Sequence, residues 1–229
     1  MEGPGRLLAS GRDCDIFDHG HGVVLRRSRE GRSQAIEART MAYAREHGYP
    51  VPAVKDLSDD GIDMVIERID GVSMVEAMTR RPWTVGQQGL VLADLHRRLH
   101  ELPAPDWVPL APCGSGDRLV HLDLHPLNVM ISDRGPVVID WSNAARGDGD
   151  VDVAVAWILM AAGGIPVGRV KAAMLGWARG VLVRSFLRHS DRRAAGQHLR
   201  QAVEWKVSDP HMTDAERRVM WKLVVREQP

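Results

Sequence analysis

Hydrophobic and polar residues alternate in the first third of the chain and follow a helical period through much of the rest. Residues 23–26 alternate with a period of two, which predicts a strand with Val24 and Arg26 on one face. Apolar residues at helical spacing predict an amphipathic helix over residues 85–102. Other predicted helices cover 33–47, 153–162, 167–189, 191–207 and 213–226. The pattern therefore predicts an α+β protein, with a sheet first and helices after it.

A second hairpin is predicted near the middle of the chain. Residues 128–132 and 137–139 have strand character, and the Asp-Arg-Gly-Pro sequence between them is typical of a turn. This hairpin would bring Asp140 to the same end as Asn128, and Asp123 precedes Asn128 by five residues. Two carboxylates and an amide in this order suit phosphoryl transfer, because one group must orient a hydroxyl while the others hold a metal-bound triphosphate.

The residue types match the chemistry that such a site needs. Mg²⁺ prefers oxygen ligands and takes only one or two carboxylates from a protein, so Asp140 and the side-chain oxygen of Asn128 are sufficient beside the phosphates. Asp123 then remains to accept the proton of the acceptor hydroxyl. The sequence thus predicts Asp123 as the catalytic residue and Asn128 and Asp140 as metal ligands.

The sequence HLDLHPLNV followed by VVIDW resembles the aminoglycoside phosphotransferase family, whose pattern is HGDLHPGNVL followed by IDW. The resemblance implies a bilobal, protein-kinase-like fold with a small antiparallel-sheet N-lobe and a mainly helical C-lobe. It also implies that Asp123 is the catalytic base and that Asn128 and Asp140 bind magnesium. Leu122 and Leu127 stand where the family usually has glycines.

Three further residues near the motif are predicted to support it. His121 and His125 are four residues apart, but no third ligand lies close by in the sequence, so a zinc site is not expected. We expect His121 to hydrogen-bond the backbone near Asp140, and His125 to brace the loop. By resemblance, Asp152 matches an aspartate that braces the catalytic loop from below. Capping of the following helix by Asp150 or Asp152 is the alternative interpretation.

The resemblance also assigns nucleotide-binding residues to the first part of the chain. The strand ending at Arg26 resembles the V-A-I-K strand of kinases with arginine in place of lysine, and Glu37 is predicted to pair with Arg26. Solvated surface charge is the alternative for both residues. Residues 63–71 resemble the last N-lobe strand and the hinge of the family, which makes Glu67 and Ile69 candidate contacts to the nucleotide.

The turn that would cover the nucleotide is less well defined by the sequence. The first predicted hairpin, residues 7–24, has no G-x-G-x-x-G loop. Residues 10–15 are the nearest candidate, with an ordinary hairpin turn as an equal alternative. In the helical part, we expect His96 and His100 to be structural, and Trp177, Trp205 and Trp221 to belong to the core.

Composition excludes several classes of function. The formal net charge is zero, which argues against a general nucleic-acid or anionic-membrane binder. Cys14 and Cys113 are the two cysteines and form no C-x-x-C pair, so a reduced, cytoplasmic setting is expected. No apolar run is long enough to span a membrane, and no feature requires an obligate protein partner.

These observations predict a small-molecule kinase with an N-lobe at residues 1–70, which binds the nucleotide, and a helical C-lobe at residues 71–229, which holds the catalytic loop and the acceptor site. The expected donor is ATP, with GTP left open, and the expected metal is Mg²⁺. The acceptor is a hydroxyl on a small molecule, either aminoglycoside-like or a metabolite. A kinase-like protein that binds nucleotide without transferring phosphate is one alternative. A protein kinase is another, which Trp141 and the missing A-P-E segment disfavour.

Overall fold

The structure, a computed structural model, describes residues 4–11, 13–163, 169–210 and 212–227, with the backbone alone for 169–174. Arg12 of the predicted turn at 10–15 and the first two residues of the helix predicted at 167–189 lie outside these ranges. The chain divides into two compact units. One comprises Met1–Gly71 and Met130–Ser142, and the other comprises Val72–Val129 and Asn143–Pro229. The hairpin that carries Asp140 therefore belongs to the first unit, although it follows residue 71 in the sequence.

The described residues form strands and helices in the predicted order, sheet first and helices after it, which confirms the α+β fold class. The strands are β1 (Leu7–Ser10), β2 (Cys14–Asp18), β3 (Val23–Ser28), β4 (Val54–Leu57), β5 (Asp63–Glu67), β6 (Gly71–Ser73), β7 (Arg118–Val120), β8 (Val129–Ser132), β9 (Gly135–Val138) and β10 (Ala145–Gly147). The α-helices are α1 (Ala35–Glu46), α2 (Met74–Arg80), α3 (Val85–His100), α4 (Gly149–Ala162), α5 (Arg169–Arg188), α6 (Arg192–Lys206) and α7 (Asp214–Glu227).

The described part of the first unit contains an antiparallel sheet in the order β1-β2-β3-β5-β4. β3 is the central strand, and its residues Val24, Leu25 and Arg26 are all buried. Arg26 lies opposite Ile16 of β2 and Met64 of β5. Its position on the most enclosed strand explains why this arginine is buried, and it excludes the alternative of a solvated surface charge for Arg26.

The hairpin of β8 and β9 lies close to its predicted position and is followed directly by Asp140. β8 and β9 are neighbours in a sheet of order β6-β8-β9. Gly135 has a φ of 99°, a conformation that favours glycine, and its carbonyl accepts a bond of 2.9 Å from the Ser132 hydroxyl. The Val138 N–H donates to the Pro50 carbonyl at 2.8 Å, which ties the hairpin to the segment after α1.

The second unit is built around α4, whose sequence is apolar on nearly every side. Ten of its residues are buried, from Val151 to Ala162. α4 packs against α6 and α7, while α3 packs against α5. The short β7–β10 ladder pairs Val120 with Ala145 and leads directly into the loop that starts at His121. None of the helices in the described ranges combines the length and apolar character that a membrane span requires.

The tryptophan predictions are partly wrong. Trp177 on α5 is 64% exposed and does not belong to the core. Trp205 and Trp221 are half-buried. The helical period places an apolar residue on one face of a helix, but a tertiary neighbour must cover that face before the residue is buried. The fully buried tryptophans include Trp141 and Trp157.

Candidate functional site

In the second unit, a buried carboxylate anchors the start of the predicted catalytic loop. Asp152 of α4 is fully buried, and its two oxygens accept the backbone N–H groups of His121 at 3.0 Å and Leu122 at 2.7 Å. The Nε2 atom of His100 lies 3.0 Å from Oδ2 of the same carboxylate. Burial alone would raise the pKa of Asp152, but the bond with His100, the nearby His96 and the backbone N–H groups hold it well below its ordinary range. Asp152 therefore braces the loop as an ionised group.

The capping alternative for this helix is wrong, because the N-cap of α4 is Asp148. Its side chain accepts the N–H of Asp150 at 2.9 Å. Asp150 and Asp152 both lie within the first turn of the helix. A capping residue must precede the first helical residue, and the run of alternating aspartates and glycines in the sequence does not indicate which aspartate that is.

The loop passes through a strained backbone conformation just before Asp123. Leu122 has a φ of 57°, and its side chain is fully buried. Residues other than glycine pay roughly 1–2 kcal/mol for this left-handed conformation. This explains why the family pattern has glycine at the position of Leu122. Here the bond from its N–H to Asp152 and the burial of the leucine side chain offset the strain.

The Asp123 carboxylate is held on both of its oxygens. The Asn128 amide nitrogen donates to Oδ2 of Asp123 at 2.8 Å and also to its carbonyl oxygen at 2.9 Å. The Lys206 ammonium, at the end of α6, lies 3.1 Å from Oδ1. The Nε2 atom of His125 is 3.7 Å from Oδ2. The Asn128 nitrogen donates to two acceptor oxygens, which identifies it as the NH₂ group of the amide. The remaining polar atom of the side chain is the amide oxygen, which is a suitable metal ligand.

His125, which was predicted to brace the loop, lies between these two residues. It is the N-cap of a short 3₁₀ helix, Pro126–Asn128, and its Nδ1 accepts the N–H of Leu127 at 3.2 Å. The proline at the first position fixes the backbone for this turn. Leu127 itself is 60% exposed, so a side chain is tolerated where the family has glycine.

In the first unit, a buried ion network holds Asp140. Arg26 donates from Nη2 to Oδ1 of Asp140 at 3.1 Å, and its Nη1 lies 2.5 Å from Oε2 of Glu37 and 3.0 Å from Oε1 of Gln34. The other oxygen of Glu37 accepts the backbone N–H of Trp141 at 3.0 Å. The predicted pairing of Arg26 with Glu37 is therefore present. Both terminal nitrogens of Arg26 are already bonded, so it acts here as the counter-ion of Asp140.

The charge states of this network follow from burial and pairing. Burial alone would lower the pKa of Arg26, but Glu37 and Asp140 together raise it above its ordinary value. Burial raises the pKa of Glu37, and Arg26 opposes that shift. Asp140 is 42% exposed at its side chain, and its Oδ1 accepts both Arg26 and the Ser142 hydroxyl, at 3.1 and 3.0 Å. Oδ2 accepts neither of these bonds.

Glu67 and Ile69, the predicted hinge contacts, stand at the end of β5 and just after it. The Glu67 side chain accepts the N–H of Ala53 at 3.1 Å and pairs with Arg134 at 2.7 Å. Burial alone would raise the pKa of Glu67, but these contacts lower it. Its side chain thus has a structural role, linking β5 to the β8–β9 turn. Any hinge contact would come from the backbone, so the nucleotide contacts at Glu67 and Ile69 stay predictions.

The side chains of Asn128 and Asp140, the predicted metal ligands, offer oxygen atoms. In the second unit, the amide oxygen of Asn128 is an oxygen donor, and in the first unit so is the carboxylate of Asp140. Among the residues that the structure describes, no group of three or more His, Cys, Asp or Glu side chains is arranged to hold a metal. Oxygen ligands that are completed by phosphate and water are the usual environment of Mg²⁺.

Sequence reasoning missed two residues of the site. Lys206 follows Asp123 by 83 residues, and Gln34 precedes the α1 helix without belonging to any motif. Gln34 bonds Arg26 through its oxygen, while its nitrogen donates to the carbonyls of Arg26 and Ile62 at 3.1 and 2.6 Å. Lys206 lies on a helix that carries both polar and apolar residues, and no local motif marks it as a functional residue. Only tertiary packing identifies its partner.

Comparison with known proteins finds similarity to phosphotransferases in sequence and in fold. The model of the phosphotransferase enzyme family, APH, matches residues 109–187. A search of curated protein sequences gave no match. The solved gentamicin complex of APH(2'')-IIa has 15% sequence identity and a TM-score of 0.63, over 97% of this chain and 89% of that one. Aminoglycoside phosphotransferase APH(4)-Ia has 17% identity and a TM-score of 0.60, over 98% and 93%.

A third similar structure is a choline/ethanolamine kinase family protein from Mesorhizobium loti, with 15% identity and a TM-score of 0.54, over 99% of this chain and 87% of that one. Solved forms of the first two proteins include a ternary complex of APH(2'')-IIa with streptomycin and ATP, and complexes of APH(4)-Ia variants with hygromycin B and either AMP-PNP or ADP. The resemblance inferred from the motifs is thereby confirmed: the chain has the aminoglycoside phosphotransferase fold, and residues 109–187 match the phosphotransferase enzyme family.

Proposed function

We propose that this protein is a small-molecule kinase, which transfers the γ-phosphoryl group of ATP to a hydroxyl with the help of Mg²⁺. The observation that carries the proposal is the pairing of Asp123 with Asn128 in a loop that the buried Asp152 anchors. The match to a phosphotransferase family and the nucleotide complexes of structurally similar proteins support it. GTP stays open as a donor.

Asp123 is the residue proposed to act on the acceptor. In the loose transition state of phosphoryl transfer, the enzyme mainly positions the reactants and neutralises charge. The acceptor hydroxyl donates its hydrogen bond to the Asp123 carboxylate, which takes the proton as the new O–P bond forms. The bond from the γ-phosphorus to the bridging oxygen breaks, and ADP leaves. Asn128 keeps the carboxylate oriented through the bond of 2.8 Å to Oδ2.

Asn128 and Asp140 are the residues proposed to hold Mg²⁺, through the amide oxygen and Oδ2. The ion, when bound, supplies positive charge that offsets the negative charge of the phosphates. Arg26 fixes the direction of the Asp140 carboxylate, and Glu37 fixes Arg26. We further propose that the nucleotide contacts Arg26 and the backbone at Glu67 and Ile69. The proposed acceptor site lies among the C-terminal helices.

A nucleotide-binding protein without transferase activity is the second candidate. Two observations favour this candidate: both oxygens of Asp123 and both terminal nitrogens of Arg26 already have hydrogen-bond partners. Each of these groups would have to release or share a partner during turnover. Consumption of ATP distinguishes the two candidates. Binding of nucleotide with no transfer across a broad acceptor panel, and no change in Asp123→Ala, would select this second function.

The direct test is Asp123→Asn, with Asp133→Asn as the matched control. Asp133 lies exposed in the turn between β8 and β9. A thermal-shift screen of metabolites and antibiotics with Mg²⁺ and AMP-PNP first identifies acceptors, and ADP release then measures transfer. We expect Asp123→Asn to lower kcat by at least about 100-fold while nucleotide affinity stays within about twofold of wild type. Equal transfer by wild type and Asp123→Asn would refute the role of Asp123.

A further inference from the structure

Lys206 is a buried cation beside the proposed catalytic residue. It is the last residue of α6 and is only 7% exposed. Its ammonium lies 3.1 Å from Oδ1 of Asp123 and 5.3 Å from the centre of the Trp205 ring. A buried ammonium is costly unless an anion compensates it, and Asp123 provides that anion. The second unit therefore contains a fixed positive charge next to the group that is proposed to act on the acceptor.

The partners of Asp123 define where an acceptor hydroxyl can bind. Asn128 donates to Oδ2 at 2.8 Å and the Nε2 atom of His125 lies 3.7 Å from the same oxygen. Oδ1 accepts Lys206 and has a second acceptor position, which we assign to the hydroxyl. A hydroxyl oxygen donating to Oδ1 lies about 3 Å from it. Because the ammonium is 3.1 Å from the same atom, the hydroxyl and the ammonium are at most about 6 Å apart.

The charge of Lys206 must then act on whatever group neighbours the reacting hydroxyl. Solvent screens this charge poorly, because the side chains of Lys206 and Asp123 are 8% and 18% exposed. Lys206 and Asp123 carry opposite charges, so the ammonium dominates for a group of the acceptor that lies nearer to Lys206 than to the carboxylate. At that position an ammonium group on the acceptor would be repelled, and a carboxylate or phosphate would be attracted. The hydroxyl of such an anion can bind Asp123 while its negative group binds Lys206.

We propose that Lys206 is a specificity residue, and that it selects acceptors in which the reacting hydroxyl neighbours an anionic group, such as a hydroxy acid. This inference rests on the proposed function, since it assumes that the acceptor binds at Asp123. The protein should therefore discriminate against alcohols that carry an amine close to the reacting hydroxyl.

A matched set of acceptors tests the proposal. Gluconate, sorbitol and 1-amino-1-deoxysorbitol are hydroxylated six-carbon chains that carry a negative, a neutral and a positive end group. For wild type we expect kcat/KM to decrease in that order. Lys206→Met should lower the gluconate value by about tenfold or more relative to sorbitol and raise the value for the amine. Lys206→Arg should keep the wild-type order, and Lys222→Met, at an exposed position of α7, should leave all three values unchanged.

Binding gives a second readout that does not require turnover. Thermal shifts with AMP-PNP and Mg²⁺ should be larger with gluconate than with the amine in wild type, and Lys206→Met should abolish the difference. Circular dichroism establishes that each variant folds, and Lys206→Gln, which also removes the charge, replaces Lys206→Met if the latter does not. An equal loss of kcat for all three acceptors would indicate contact with the phosphoryl group and would overturn the proposal.

The two proposals fail in different ways. A charge preference that depends on Lys206, with no transfer either to these acceptors or across the broad acceptor panel, would refute the kinase function and leave the anion site. Transfer that favours the amine, or a preference that Lys206→Met does not change, would refute the anion site and leave the kinase function. If the broad panel gave no transfer and the matched acceptors gave no charge-dependent stabilisation, both proposals would be refuted.

Discussion

Replacement of Asp152 by asparagine would test how the catalytic loop is held. The side chain keeps its size but loses its charge and one of its two acceptor oxygens. The remaining oxygen can still accept the Leu122 N–H, now 2.7 Å from Oδ1 of Asp152. The new NH₂ group would then face the His121 N–H, which lies 3.0 Å from Oδ2, so two donors would oppose each other. The bond with His100 would also lose its charged partner.

The cost can be estimated from these contacts. A hydrogen bond to a charged group contributes about 1.5–3 kcal/mol, and a buried N–H left without an acceptor costs about 1–3 kcal/mol. Because Asp152 is fully buried, solvent cannot replace the lost partners. We therefore expect Asp152→Asn to lower the free energy of unfolding by about 4 kcal/mol, as for other broken buried ion networks. Loosening of Leu122 should also displace Asp123 and reduce transfer.

Urea unfolding at neutral pH, followed by circular dichroism, measures this change. Asp150→Asn is the matched control, because Asp150 lies in the same first helical turn. Burial and the neighbouring Asp148 raise the pKa of Asp150, so neutralising it should change the free energy of unfolding by less than about 0.5 kcal/mol. A loss below about 1 kcal/mol for Asp152→Asn would refute the claim that this carboxylate anchors the loop.

Two other predictions follow from buried titratable groups. Burial lowers the pKa of His96 from 6.5 to about 4, so the unfolded chain binds a proton that the folded chain does not, and stability should fall by about 3 kcal/mol as the pH drops through that interval. Urea midpoints measured against pH should show this decrease, and it should be smaller by that amount in His96→Leu; an equal slope in both would contradict the assignment. Burial raises the pKa of the Cys14 and Cys113 thiols to about 11, so about one thiol in a thousand is ionised at pH 8. Ellman's reagent should react with both only after unfolding, and rapid reaction of the folded protein would refute this.

Local sequence patterns predicted the parts of the site that lie close together in the chain. The spacing from Asp123 to Asn128 indicated that both belong to one loop, and the turn sequence after Ser132 indicated the hairpin that precedes Asp140. The alternation over β3 placed Arg26 on a strand, and the kinase-like order of elements indicated its pairing with Glu37. Each of these inferences depends on backbone periodicity or on a short motif, which act over a few residues.

Contacts between distant elements were outside the reach of the same reasoning. Lys206 pairs with Asp123, which precedes it by 83 residues. Its helix carries other charged residues, and nothing in the local sequence distinguishes Lys206 from them. Trp177 was expected in the core, because periodicity alone does not show whether another helix covers its face. Such contacts depend on how helices pack, and the sequence specifies that packing through the whole core rather than through any motif.

The two proposed active-site carboxylates both lie at or beside a residue with a positive φ, and buried charged groups hold each of them. Asp140 has a φ of 62°, and Asp123 directly follows Leu122 with a φ of 57°. Each strained turn costs about 1–3 kcal/mol and persists only where its surroundings determine it. In one unit the buried Asp152 accepts the N–H groups at the turn, and in the other Arg26 and Glu37 bond Asp140 and the residue after it. Buried charges therefore hold the reactive carboxylates in place, which reduces the ordering that substrate binding would otherwise require.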